Sequence, residues 1–197
     1  MPNKHSSMTS LANQFLVAMP ALDDSYFGRS VIYICEHDDD GAMGLVINKS
    51  TDIAINKVLI EMHIEDEEQG ETSTVELNRN HVMSGGPVQT DRGFILHNGD
   101  NKWSSSLKLD DQINVTTSKD ILANLSTKDG PEKYIMTLGY SGWTAGQLEQ
   151  ELADNTWLTI DADPDLLFDT PVEERWEKAL KKLGINADQL TAFSGHA

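Results

Sequence analysis

SVIYICEHDDDGAMGLVIN, residues 30–48, reads as two strands and the turn between them. Residues 30–36 and 43–48 are apolar and rich in β-branched side chains, which suit a pleated, buried surface. HDDDGA joins them with Asp and Gly, the residue types that tolerate turn dihedrals. The stretch predicts a hairpin, and with it a sheet at the centre of the fold. Tyr33, Cys35 and His37 alternate along the first strand, which puts a thiol two residues from an imidazole. Cys35 is thus a candidate reactive thiol, because a neighbouring His lowers a thiol pKa. The plainer alternative is a Cys buried among apolar neighbours.

Working outward, FLVAMPAL at 15–22 reads as a first strand, too short and too interrupted by Pro20 for a secretory segment. Residues 52–63 place Ile55, Val58, Leu59 and Met62 at helical spacing. An acidic connector from Glu65 to Glu76 is expected to be a mobile, solvated loop. Short strands follow at 81–84, 94–97, 106–109 and 112–116, then a helix over 118–126 with Ser118 as N-cap. A strand at 133–139 leads through a glycine-rich turn into a helix over 145–154, and 157–161 is a last strand. A final helix over 171–183 starts at Pro171 and ends at Gly184, with Glu173 and Glu174 in its first turn and Lys181 and Lys182 in its last. Residues 1–7 are expected to be disordered, Met8 is an alternative start, and 8–197 is expected to form one domain. Strands and helices interspersed in this way predict an α/β fold around a mixed sheet.

The chain has 197 residues, 15 basic and 32 acidic, for a net charge of -17. Such a charge repels polyanions, and phosphate contacts on nucleic acid need Lys and Arg that this chain has few of. Direct nucleic-acid binding and docking on anionic lipid are therefore not expected. A single Cys precludes an internal disulfide and suits a reducing compartment, so the expected location is cytoplasmic. No apolar run approaches the roughly 20 residues of a spanning helix. A homodimer is compatible with the chain's size, but nothing in the sequence fixes one.

The motifs exclude more than they assign. EHDDDG at 36–41 resembles a calcium loop until the closing acid, whose place falls on Ile47. GYSG at 139–142 resembles a nucleophile elbow around Ser141, but the second glycine is replaced by Trp143 and only His196 follows. GYSGWTAG ahead of a helix also has the order of an anion cradle, without the Lys and Ser/Thr of a P-loop. Ser84, Gly85, Gly86 and Pro87 raise the same choice between a ligand-binding backbone and tight packing. No histidine spacing matches a zinc site, so no metal and no cofactor is expected. Trp103, Trp143, Trp157 and Trp176 are read as core or interface residues.

NQFLVAMPAL at 13–22, the 27–48 stretch, SGGPVQTDRGFILH at 84–97 and LGYSGWTAGQLEQEL at 138–152 together resemble the YqgE/AlgH family. Trp157 and the W–AL–LGI pattern at 176–185 extend the match over nearly the whole chain from about residue 9. The resemblance implies a cytosolic α/β fold whose mixed sheet curls toward an incomplete barrel, with about four flanking helices. It also brings a label of transcriptional regulator, but no DNA-binding motif and no chemistry. The matching positions are Asp23, Phe27, Arg29, Glu36, His37, Asn48, Gly85, Gly86, His97, Gly142, Trp143, Gly146, Gln147 and Glu151. Arg29, Asn48, His97 and Gln147 are polar and harder to explain by packing. With Ser84, Gly85, Gly86, Ser141, Gly142 and Trp143 they form the candidate ligand-binding set. The expected function is non-catalytic binding or regulation through a protein partner or small ligand. The alternative is an enzyme or anion-binding protein using the turns at 84–87 and 139–146, with Arg29 supplying charge.

Overall fold

The computed structural model describes residues 9–24, 26–62, 64, 80–100, 102–125 and 127–186. The expected disorder at 1–7 and the acidic connector at 65–76 lie outside the described residues. The opening hairpin is present: after β1, Gln14–Ala18, come β2, Val31–Asp38, and β3, Gly41–Val46. Asp38 Oδ1 accepts the Asp40 N–H in the turn, and Gly41 takes a φ of 139°, which few other residues would tolerate. Next come β4 Ser50–Ala54, helix α1 Ile55–Glu61, β5 His81–Ser84, β6 Val88–His97, β7 Ser106–Lys108 and β8 Asn114–Thr116. The chain continues through β9 Tyr134–Thr144, helix α2 Gln147–Ala153, β10 Trp157–Asp161 and helix α3 Arg175–Lys182.

The strands form one curled sheet, a half-barrel, in the order β10-β1-β2-β3-β9-β6-β8-β7, with β5 pairing β9 and β4 pairing β5. Only the β5–β9 pairing is parallel among the described strands. β9 is the hinge of this arrangement. Its residues Tyr134–Leu138 pair with β6, while its other edge meets β5 at 137–138 and then β3 at 141–144.

Both faces are covered, which is why β1 and β2 are continuous apolar runs rather than alternating ones. Phe15, Val17, Val31 and Tyr33 pack with Trp176 and Leu180 of α3. Leu16, Ala18, Ile32 and Ile34 pack on the opposite side with Trp143, Trp157 and Leu148 of α2. A third cluster sets Leu59 of α1 against Ile95 and Met136. Among the described residues no helix is long and apolar enough to cross a membrane.

Three local expectations are corrected. The helix expected over 118–126 is only a 3-10 turn at Leu122–Asn124. There Ser118 does not cap; its hydroxyl donates to the Asp120 carboxylate, which in turn accepts the Ile121 N–H. The Ser118 bond, with two more from Ser104 and that of Ile121, holds the Asp120 carboxyl at about 2. The helix expected over 171–183 begins as a 3-10 turn, Val172–Glu174, and is α-helical only from Arg175. The described residues hold three α-helices with short 3-10 and π turns. Finally, GYSGWT is not a turn but the last six residues of β9, and the chain turns only at Ala145 and Gly146.

Candidate functional site

The C-terminal half of β9 carries the candidate site. β3 pairs Met43 with Gly142 and Gly44 with Ser141, which fixes this half of the strand along the hairpin. Beyond it, Gly146 turns the chain with a φ of 75° and α2 folds back. The result is a cleft of about 380 Å³ lined by Ser141, Gly142, Trp143, Gln147 and Glu151, with Phe27 and Asp24 from the loop before β2 and Pro87, Val88 and Trp157 around it.

Glu151 organises the floor. One carboxylate oxygen accepts the Trp143 indole N–H at 2.9 Å and the Trp157 indole N–H at 2.8 Å. The other accepts Gln147 Nε2 at 2.9 Å, while Gln147 Oε1 accepts the Thr144 N–H. All these donors are neutral, so the charge of Glu151 is solvated but not cancelled. The rings are set edge to face: Trp143 against Trp157 at 82° and Phe27 against Trp157 at 81°. Asp24 accepts the N–H groups of Tyr26 and Phe27 at 2.7 Å each, and these bonds hold its carboxyl below the usual range. Two acids and no Lys, Arg or His stand among the described lining residues.

The other candidates lie elsewhere. Gly85 and Gly86 pack onto β9 behind the cleft. A Cβ on Gly86 would stand 1.9 Å from the Tyr140 carbonyl carbon, and one on Gly85 2.3 Å from Gly139 O. Gly85 N–H donates to Leu138 O, and its carbonyl accepts the Val46 N–H. Ser84 bonds Tyr26 through its hydroxyl. Asn48 ties β3 to the start of β2: its Oδ1 accepts the Val31 N–H and its Nδ2 donates to Arg29 O. His97 is fully buried; Asn98 O takes its Nδ1–H, so its Nε2 accepts from the Thr116 hydroxyl, and burial lowers its pKa. Arg29 stands away from both glycine segments, its guanidinium 5.0 Å above the Trp176 ring.

Cys35 lies in the core with Tyr33, and burial pushes its thiol well above the ordinary range. His37 does not meet it. The register of β2 against β3 shifts between Ile34 and Glu36, and His37 instead accepts the Leu11 N–H at Nδ1, leaving Nε2–H to donate to Glu149 at 2.6 Å. Ser141 is 1 % exposed and its hydroxyl donates to Gly85 O, within a paired strand rather than on an elbow. Among the described residues no cluster of His, Cys, Asp and Glu could hold a metal.

Sequence reasoning missed Asp24 and gave Glu151 only as a family position. The signal for Glu151 was Trp143, Trp157 and an acid on α2 spaced four residues after Gln147, a pattern without meaning until the strand and helix are folded together.

Residues 15–188 match the family model described as DUF179, AlgH-like. The chain is 56% identical to a UPF0301 protein of Vibrio cholerae over 188 residues, 95% of this chain and all of that one. It is 52% identical to a UPF0301 protein of Pseudoalteromonas translucida over 190 residues, 96% of this chain and all of the relative. Its fold is similar to the solution structure of the AlgH protein from Pseudomonas aeruginosa, with a TM-score of 0.76 and 44% identity across 99% of this chain and all of the other. A protein of Corynebacterium diphtheriae shares the fold at a TM-score of 0.70 and 18% identity, covering 93% of both chains.

Proposed function

The chain belongs to the AlgH-like family, and from that premise we propose that it is a non-catalytic binding protein whose cleft receives a Lys or Arg side chain of a basic protein partner. The observation that carries the reading is the pairing of Glu151 and Asp24 with three aromatic rings, with no cation beside them. An apolar stem can lie against Phe27, Trp143 and Trp157 while its charged head meets uncancelled carboxylates. A net charge of -17 steers basic partners toward the protein and nucleic acid away from it. The reading fits a cytoplasmic regulator that acts through another protein.

The anion-cradle alternative has less support. Two of the backbone donors that such a cradle would use are taken: Gly85 N–H by Leu138 O and Thr144 N–H by Gln147 Oε1. Titration of short Lys- and Arg-rich peptides, followed by the fluorescence of Trp143 and Trp157, tests the proposal. Saturable binding that weakens with salt and is lost in Glu151→Gln is expected. No binding, or binding unchanged in Glu151→Gln and Asp24→Asn together, overturns it.

A further inference from the structure

On the far side of the loop that contributes Asp24 and Phe27, the charge reverses. Arg29, Lys49 and Arg175 gather around residues 28–30 and 47–49, in a chain where acids outnumber bases by 32 to 15. Among the described residues none of the three reaches a carboxylate within ion-pair distance. Arg175 is buried and held by the carbonyls of Thr170 and Ile47, with Glu173 as the acid that acts on it at longer range. Lys49 Nζ donates to Gly28 O at 2.7 Å, and the charge of Arg29 adds to burial in lowering its pKa.

Arg29 itself is strained. Its φ is 57°, in the left-handed region that a long side chain avoids and glycine accepts without cost. Nothing in the loop asks for an arginine there. The loop is held by Gly28 N–H on Asp24 O, Ser30 N–H on Phe27 O, and the Asn48 and Lys49 bonds, none of which uses the Arg29 side chain. That side chain is exposed, and its described contact is the Trp176 ring beneath it. A strained residue whose exposed side chain makes no described hydrogen bond or ion pair points to a function outside the fold. The guanidinium carbon lies 5.0 Å from the ring centroid and the side chain is exposed, so its N–H donors are open to a ligand.

We propose that Arg29 and Lys49 form a receptor for a phosphate group, with the Trp176 ring as its platform. Two unpaired cations match a dianion, and the planar fork matches its oxygens. The site is separate from the acidic cleft and does not depend on the reading given for it.

The test is a titration of inorganic phosphate at constant ionic strength, read from the amide and Arg side-chain resonances of the whole protein. Saturable shifts centred on Gly28, Arg29 and Lys49 are expected. Arg29→Gly, which suits the left-handed backbone, is expected to keep the fold, unfold no earlier than the parent chain, and bind phosphate at least tenfold more weakly. Lys49→Met is expected to weaken it as well, and Arg92→Gly to leave it unchanged. Shifts that never saturate, that spread over the protein, or that persist in Arg29→Gly overturn the proposal. A parallel titration with phosphoserine amide separates the sources: tighter binding than phosphate assigns the site to a phosphorylated chain, and equal binding to the free ion.

Discussion

The two halves of β9 are built from similar residues and do opposite things. In the first half Gly139 lies under Gly85 and Gly86, and the three leave no space: a Cβ on Gly139 would stand 2.4 Å from Gly86 O, as one on Gly86 would collide with Tyr140. In the second half Gly142, and in the turn after it Gly146, border open space. The nearest atom to a Cβ on Gly142 is a Tyr140 ring carbon at 3.6 Å, and Gly146 meets nothing within 4 Å. The first half closes a seam where β5 gives way to β3. The second leaves a wall for a cleft. Glycine content alone therefore says nothing about a ligand; what differs is the space each missing side chain leaves.

The largest effect expected from this contrast is in the seam. Gly86→Ala forces backbone apart on both sides, and a loss of about 4 kcal/mol or more is expected, enough to remove most folded protein. Gly142→Ala should stay within about 0.5 kcal/mol of the parent chain. Urea unfolding followed by tryptophan fluorescence compares them directly. If the two substitutions cost the same, the distinction between seam and wall is wrong.

The cleft floor is the next place to press. Glu151→Ala strands the indole N–H groups of Trp143 and Trp157, both under 8 % exposed, and a loss of about 2–4 kcal/mol is expected. Glu151→Gln keeps an acceptor for both rings but loses the charge and the bond from Gln147 Nε2, so it should cost about 0.5–1.5 kcal/mol in the same unfolding experiment. A large loss in Glu151→Gln would mean that the charge holds the fold, leaving less reason to assign it to a partner.

How far the sequence carried follows from which forces are local. The hairpin at 30–48 was legible because β-branched runs and an Asp–Gly turn act over neighbouring residues, and β10 was expected at 157–161, where it lies. The extension of β9 to Thr144 was not legible, since the two glycines of GYSGWT disfavour a strand and the segment is held there by β3, about 100 residues away in sequence. The helix expected at 118–126 failed because Asp120 and Ser118 satisfy each other and the nearby backbone, the competition by which Ser and Asp favour turns over helix interiors. Of the candidate residues, Ser141, Gly142, Trp143 and Gln147 share the cleft, while Asn48 and His97 are polar because they bond backbone and buried hydroxyls. A satisfied internal histidine and a ligand-binding one look alike until their partners are known.

His97 allows the closed half to be tested by pH. It pairs with Tyr134 where β9 begins, and its ring is neutral in the fold because Nε2 accepts from Thr116 while burial disfavours the cation. An unfolded imidazole titrates near 6.5, so as pH falls below about 6.5 the unfolded chain takes up a proton that the folded chain resists. Stability from this group is therefore full above that pH and is lost as pH drops toward the lowered folded value. One proton sets the steepest slope at about 1.4 kcal/mol per pH unit. Urea midpoints measured from pH 7.5 to 5.5 should fall in the parent chain and fall less in His97→Gln, which cannot take up the proton in either state. Because other histidines contribute equally to both proteins, the difference between the two curves belongs to His97. Curves that run parallel would show that this ring is charged as easily inside the fold as outside it, and that the first half of β9 is not as closed as its packing indicates.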